Sequence, residues 1–218
     1  MPKSGTTWLK ALTFSIANRN AFPIDQSPLL TSTPHMLVPF LDLNVYWEQD
    51  NPDLENIPNP RIFSTHMHFN MLPVSIHESN CRIIHICRNP LDQFVSHINF
   101  SSQNDFGKEK VLFLQYEDLK EDITSQVKKI AEFIGFPFSL EEEEQGLIDQ
   151  ISRLCSFESL SNLTVNKTGD INGIAKNSSF FRKGQVGDWT NYLTPTMADR
   201  MKKLIDTKFE GSGLMFRT

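Results

Sequence analysis

The chain has 218 residues, a formal net charge of −5, 39% hydrophobic residues and 22% charged ones. This balance fits one soluble globular domain, 1–218, with a sizeable core, and argues against nucleic acid as a partner, because phosphate binding needs clustered Lys and Arg. No apolar run reaches the ~20 residues of a membrane span, and no signal-peptide pattern opens the chain, so a cytoplasmic protein is expected.

The first stretch is Met1-Pro2-Lys3-Ser4-Gly5-Thr6-Thr7-Trp8-Leu9-Lys10. Gly5 permits a tight turn, and Leu9, Leu12, Thr13 and Ile16 have the spacing of an amphipathic helix. A small-residue loop entering a helix N-terminus suits an anion, since free N–H groups and the positive dipole end coincide. Lys3 adds a full charge. The string is not a Walker A loop, which needs G-x-x-x-x-G-K-[ST]. The plain alternative is a helix start capped by threonine.

Residues 21–61 carry Pro23, Pro28, Pro34, Pro39, Pro52, Pro58 and Pro60, so loop with short helical turns is expected. The most apolar part, His35-Met36-Leu37-Val38-Pro39-Phe40-Leu41, predicts one short helix. Arg61 to His66 reads as a strand with His66 at its carboxyl end, where ligands collect in open α/β sheets. Histidine can take a proton near neutral pH. A structural histidine is the competing reading, and His68 is a weaker candidate.

Cys81-Arg82-Ile83-Ile84-His85-Ile86-Cys87 reads as a strand, followed by Arg88-Asn89-Pro90 and a helix from Leu91 to Asn99. Strand, basic residue and helix start make a second anion site, with a surface cation as the alternative. Only ten residues separate Phe100 from Val111. The strand Val111-Leu112-Phe113-Leu114-Gln115-Tyr116 then leads into Glu117 and Asp118, loosely like a Walker B segment.

Ile123, Val127, Ile130 and Ile134 mark a helix stopped by Gly135. Ser139-Leu140-Glu141-Glu142 predicts a capping box, with Glu141–Glu144 as a solvated first turn. Ile148, Ile151, Leu154 and Cys155 continue an apolar face. Phe180-Phe181-Arg182-Lys183-Gly184-Gln185-Val186-Gly187-Asp188-Trp189 offers a third cationic turn. A helix from Met197 to Phe209 follows. Cys81 and Cys87 would share a strand face and pack as small apolar groups. The three cysteines lack metal spacing. The sequons at Asn99, Asn162, Asn166 and Asn177 read as chance.

Four of these segments carry a resemblance. P-K-S-G-T-T-W-L-K resembles the 5′-phosphosulfate loop of the cytosolic sulfotransferases, which use 3′-phosphoadenosine 5′-phosphosulfate (PAPS). Pro60, Arg61, Thr65 and His66 match the segment holding the family's general base, with Ser64 where many members have Lys. C-R-N-P-x-D-x-x-V-S resembles the 3′-phosphate segment, with Leu91 at a frequent Lys. F-x-R-K-G-x-x-G-D-W is similar to the last nucleotide signature. The run from Cys155 through Lys167 and the C-terminal residues are similar to the plant branch.

The resemblance implies a P-loop-like α/β fold: a parallel sheet flanked by helices, incomplete here because no strand precedes Lys3. It implies sulfuryl transfer from PAPS to a small-molecule hydroxyl such as a phenol, steroid or flavonoid, without a metal. Lys3, Ser4, Gly5, Thr6 and Thr7 would hold the phosphosulfate, Lys3 being catalytic beside the base His66. Arg88, Ser96, Arg182, Lys183 and Gly184 would take the 3′-phosphate. Trp8, Tyr116 and Phe157 would flank adenine, with Cys155 nearby where many members have Thr. The family's K-x-x-x-T-V-x-x-x-E dimer motif survives only as Thr190, Thr194, Pro195 and Asp199, so a monomer or weak dimer is expected. The short 101–110 link and the missing first strand leave a second class open, a non-catalytic remnant that binds the nucleotide alone. A P-loop kinase is a third, but it needs a Walker A Lys and a Mg²⁺ ligand. The truncations predict low stability and weak activity.

Overall fold

A computed structural model describes residues 4–46, 52, 54, 57, 59–67, 71–89, 110–171, 173 and 175–210. The chain divides into two compact units. One comprises Met1–Gly5, His68–Glu121 and Gly184–Thr218, the other Thr6–Met67 and Asp122–Lys183.

The first unit holds α3 (Val74–Glu78), a parallel pair of strands and α10 (Pro195–Phe209). The pair is β1 (Ile83–Cys87) and β2 (Val111–Gln115), with Ile83 opposite Val111 and Cys87 opposite Gln115. Branched Ile83, Ile84, Ile86 and Val111 favour the extended backbone. A parallel pair needs a crossover of about a dozen residues or more, which 88–110 supplies. Ile86, Leu112 and Leu114 are buried, while Phe113 is half exposed with its ring 5.6 Å from that of His85. Tyr116, expected to finish the strand, instead opens α4 (Tyr116–Glu121).

α10 begins two residues before the expected Met197. Thr194 accepts a hydrogen bond from the Met197 N–H, and Pro195 takes the first turn, where its missing N–H costs nothing. Met201 and Ile205 pack inward with Trp189 and Leu193. One expectation fails in this unit. Cys81 is exposed and Cys87 buried, because the strand starts only at Ile83 and the two do not share a face. The predicted helix 91–99 and residues 101–109 lie outside the described residues.

The second unit begins with α1 (Thr6–Asn18), whose Leu9, Leu12 and Ile16 are buried. The Pro-rich segment forms 3-10 turns at Ile24–Gln26 and Pro28–Leu30, α2 (Pro34–Leu37) and a π turn at Leu41–Val45. The single helix expected over 35–41 is therefore broken. Pro39 lacks a donor and forces Val38 out of the helical region. The expected strand Arg61–His66 shrinks to one parallel bridge between Phe40 and Ser64. Ser64 N–H donates to Pro39 O at 2.9 Å and Leu41 N–H to Ser64 O at 2.8 Å. The bridge cannot lengthen, because the chain enters the π turn at Leu41.

α5 (Ile123–Ile134) runs from an Asp122 cap to Gly135, whose φ of 84° only glycine adopts freely. α6 (Leu140–Glu144) has the predicted capping box at Ser139 and Glu142. Its acids are not all solvated. The Arg19 guanidinium donates to both Glu142 oxygens at 2.7 and 3.1 Å and to the carbonyls of Phe136 and Pro137. Lys128 pairs with Glu143 at 2.6 Å. α7 (Leu147–Leu154) buries Ile148, Ile151 and Leu154. α8 (Phe157–Asn162), α9 (Thr164–Lys167), the antiparallel pair β3 (Asp170–Ile171) and β4 (Ala175–Lys176), and a 3-10 turn at Asn177–Phe180 complete the unit. Asn166 and Asn177 are buried, so neither sequon can carry a glycan in the folded chain.

Candidate functional site

In the first unit four segments singled out above meet. A Cβ added to Gly5, at φ 103°, would lie 2.6 Å from Tyr116 Cδ2 and 3.2 Å from Ile86 Cδ1. The loop backbone can therefore reach the ring only because residue 5 has no side chain. Arg88, at the carboxyl end of β1, is buried, with its guanidinium 4.6 Å above the Tyr116 ring. It also donates to the Gln185 carbonyl. The Tyr116 hydroxyl donates to Gly184 O at 2.9 Å, and Gly184 has φ 61°. Gly5, Arg88, Tyr116 and Gly184 thus surround one spot, although they are far apart in sequence.

Glu117 follows β2 in the segment loosely like a Walker B stretch. It is buried, and its Oε1 accepts the Asn89 N–H at 2.9 Å, fixing the backbone after Arg88. Cys87 sits below. Burial, with Glu117 and Asp118 adding to it, pushes its thiol up to about 12, so it is inert at neutral pH.

In the second unit Thr6, Thr7 and Trp8 form the first turn of α1 and stay partly exposed. Thr7 Oγ1 lies 3.0 Å from His35 Nε2. Lys10, one turn on, is only 3% exposed. Its Nζ donates to Val38 O at 2.8 Å, lies 3.1 Å from His35 Nδ1, and sits 3.5 Å above the Phe40 ring. Phe40 in turn lies 5.0 Å from the His66 ring. Thr7, Lys10, His35, Phe40 and His66 therefore form one cluster.

Burial pushes the His66 imidazole down from 6.5 to about 4, so at neutral pH it is uncharged and able to accept a proton. Its Nδ1 is buried without a hydrogen-bond partner among the described residues. Burial likewise lowers Lys10 to about 7, opposed in part by Asp42.

Cys155, expected near adenine, is fully buried, 3.4 Å from Ser15 Oγ, with burial pushing its thiol up to about 12. Phe157 opens α8, with its ring 6.2 Å from that of Phe181. Arg182 and Lys183 are exposed. Lys3, Ser96 and His68 lie outside the described residues. Among the described residues no group of His, Cys, Asp or Glu is arranged to hold a metal. Lys10, His35 and Phe40 were missed as site residues. Their signal was a lysine on the apolar face of α1 and a histidine in the most apolar part of the Pro-rich segment.

Comparison with known proteins agrees on one family. The model of the sulfotransferase domain matches residues 1–109 and 104–213, two segments that meet inside the short link before Val111. Cytosolic sulfotransferase 8 of Arabidopsis thaliana is 42% identical over 251 residues, covering 98% of this chain and 76% of the relative. Flavonol 4′-sulfotransferase of Flaveria chlorifolia is 39% identical over 259 residues, covering 99% and 79%. Among solved structures, a mouse sulfotransferase complexed with PAP, the desulfated nucleotide, aligns with a TM-score of 0.66 at 25% identity, covering 97% of this chain and 83% of that one. With the phosphosulfate-type loop, the basic strand end and the R-K-G turn in the order expected above, the chain belongs to the sulfotransferase family and has its α/β fold.

Proposed function

We propose that this chain is a PAPS-dependent sulfotransferase of the plant cytosolic type, acting as a monomer or weak dimer on a small hydroxylated acceptor of the phenol, flavonoid or steroid class. The observation that carries this reading is the shared cluster of Thr7 and His66. Sulfuryl transfer needs hydroxyl donors at the leaving phosphate and a base at the acceptor, and one packed group of side chains holds a candidate for each. PAPS supplies the sulfuryl group, whose bond to the 5′-phosphate oxygen breaks as a bond to the acceptor oxygen forms.

The residues fit such a nucleotide. Gly5 lets the loop turn at positive φ directly against the Tyr116 ring, and the buried Arg88 brings a positive charge beside it. In this reading Lys3, Thr6 and Thr7, with the N–H groups of Ser4 and Gly5, stabilise charge growing on the leaving 5′-phosphate. Arg88, Ser96, Arg182, Lys183 and Gly184 hold the 3′-phosphate. Trp8, Tyr116 and Phe157 flank adenine. His66 takes the acceptor's hydroxyl proton.

The testing experiment is calorimetry with PAP and with AMP, followed by transfer from PAPS to a panel of phenols, flavonols and steroids. PAP is expected to bind about tenfold tighter or more, because AMP lacks the phosphate that Arg88 and Arg182 would hold. Equal affinities would remove those assignments. A second reading, nucleotide binding without transfer, is favoured by the family match falling in two segments, 1–109 and 104–213, that overlap in the short link. PAP binding with no sulfated product on any acceptor would select it.

The pH dependence follows from His66. A general base works unprotonated, and its pKa is lowered to about 4. kcat/KM is therefore expected to lose nothing to protonation of this residue at pH 6 and to fall only as the pH nears that value. An acid limb centred near 6.5, the ordinary histidine value, would contradict the burial of the base.

A further inference from the structure

The second unit contains a buried polar chain that the proposed reaction does not itself require. Lys10 and His35 are each 3% exposed, and both lie among apolar groups. The His35 ring is flanked by Phe40, at 5.7 Å and nearly parallel, and by Phe180, at 4.1 Å. Burying two such polar side chains is costly unless each is hydrogen-bonded, and both are. Their bonds lead to one place, the Thr7 hydroxyl in the first turn of α1. Thr7 and Lys10 stand three residues apart on a helix, so they share a face and can grip one ring.

The direction of these bonds follows from the donor and acceptor inventory. A lysine ammonium has three hydrogens and no lone pair. Lys10 Nζ spends one hydrogen on Val38 O and directs another at His35 Nδ1. With Lys10 in its ammonium form Nδ1 accepts, so the ring is neutral and carries its proton on Nε2. That N–H points at Thr7 Oγ1, 3.0 Å away. Thr7 accepts it on a lone pair, which leaves the hydroxyl's own hydrogen for another acceptor. The opposite tautomer would reverse the sense. Thr7 would then spend its hydrogen on His35 and offer an anion only its lone pairs.

We propose that Lys10 and His35 are positioning residues that fix the Thr7 hydroxyl as a donor to the 5′-phosphate end of the nucleotide. The inference rests on the sulfotransferase reading above, which sets Thr7 against that phosphate. His35 touches Thr7 and not the nucleotide, and Lys10 acts through His35 by choosing its tautomer. The Phe40 face under Nζ and the Val38 carbonyl hold the lysine in place and favour its charged form against the burial that lowers its pKa to about 7.

The test is PAP affinity by calorimetry, with thermal unfolding in parallel, on the full chain and on Thr7→Val, His35→Phe, His35→Gln, Lys10→Met and the double variant Thr7→Val/His35→Phe. Thr7→Val and His35→Phe should each weaken PAP about tenfold, the loss of one hydrogen bond to a charged group. The double variant should be no weaker than either single one, because both remove the same interaction. His35→Gln, whose side-chain amide can still donate to Thr7, should recover most of the affinity. Lys10→Met should weaken PAP, and a further double variant, Thr7→Val/Lys10→Met, should bind no more weakly than Thr7→Val; this pair serves if His35→Phe fails to fold.

A role in packing alone predicts otherwise. His35→Phe would then lower the unfolding temperature yet bind PAP like the parent, or its loss would multiply with that of Thr7→Val. Either result overturns the relay. So does His35→Gln binding as poorly as His35→Phe. Thr7→Val at full affinity overturns the relay while leaving the sulfotransferase reading intact. Failure of the parent chain to bind PAP is the separate result that overturns the sulfotransferase reading, and the relay falls with it.

Discussion

His66→Ala should abolish sulfate transfer while leaving PAP affinity within about twofold of the parent. Removing a general base typically costs ~10²–10⁴-fold, and His66 is the residue proposed for that role. Burial holds the imidazole uncharged, with its pKa at about 4. The Phe40 ring packs 5.0 Å from it. The acceptor proton would pass to an imidazole nitrogen as the new S–O bond forms. Nucleotide affinity should survive, since phosphate recognition is assigned to other residues. His68→Ala is the control and should cost much less. Steady-state transfer rates and PAP calorimetry on both variants decide the matter. Equal losses of activity in the two would leave the base unassigned. A large loss of PAP affinity in His66→Ala would move the residue into the nucleotide site.

The parts of the fold legible in the sequence were those governed by local chemistry. The α1 stripe, the Asp122 and Gly135 ends of α5 and the Ser139–Glu142 capping box each follow from a few neighbouring residues. Strand β2 was legible as an apolar run, but its end was not. Tyr116 belongs to the helix because Glu117 and Asp118 favour a helical first turn there, and tyrosine on an apolar run gives no sign of that. The segment Arg61–His66 looked extended and is nearly so. It forms a single bridge because its partner, Phe40, has one extended residue to offer. A strand depends on a neighbour that its own sequence does not specify.

The candidate site divides in the same way. Gly5, Arg88 and Gly184 stood out because glycine and arginine in turns and at strand ends have few other uses. Lys10 and His35 did not stand out, since each looks like an interruption of an apolar pattern. Their meaning depends on a contact across 25 residues of chain, between Nζ and Nδ1, that spacing cannot reveal. Cys155 shows the same limit: its position in a familiar run could not tell that its side chain is closed off from solvent.

Gly5→Ala should destabilise the chain and weaken PAP together. Two costs add at this position. The backbone has φ 103°, a conformation that L-residues adopt only with strain, on the order of 1–2 kcal/mol. The new methyl would also lie 2.6 Å from Tyr116 Cδ2 and 3.2 Å from Ile86 Cδ1. The first contact is with the body of a ring, not with a flexible end. That ring is held by its hydroxyl on Gly184 O and by the Arg88 guanidinium over its face, so it cannot swing aside cheaply. Overpacking of this kind costs about 1–3 kcal/mol. Together the two approach roughly 2–5 kcal/mol, against a total stability of about 5–15. For a chain of this size that lowers the unfolding midpoint by roughly 5–15 °C. If the loop moves instead of the ring, Ser4 and the backbone N–H groups shift away from the phosphate they are proposed to hold, and affinity falls by about tenfold or more. Thermal unfolding and PAP calorimetry on Gly5→Ala separate the two routes. Tyr116→Leu in the same background removes the aromatic edge and should return part of the stability, while the φ strain remains. A Gly5→Ala chain that melts with the parent and binds PAP as tightly would show that neither the turn nor the close approach constrains this loop.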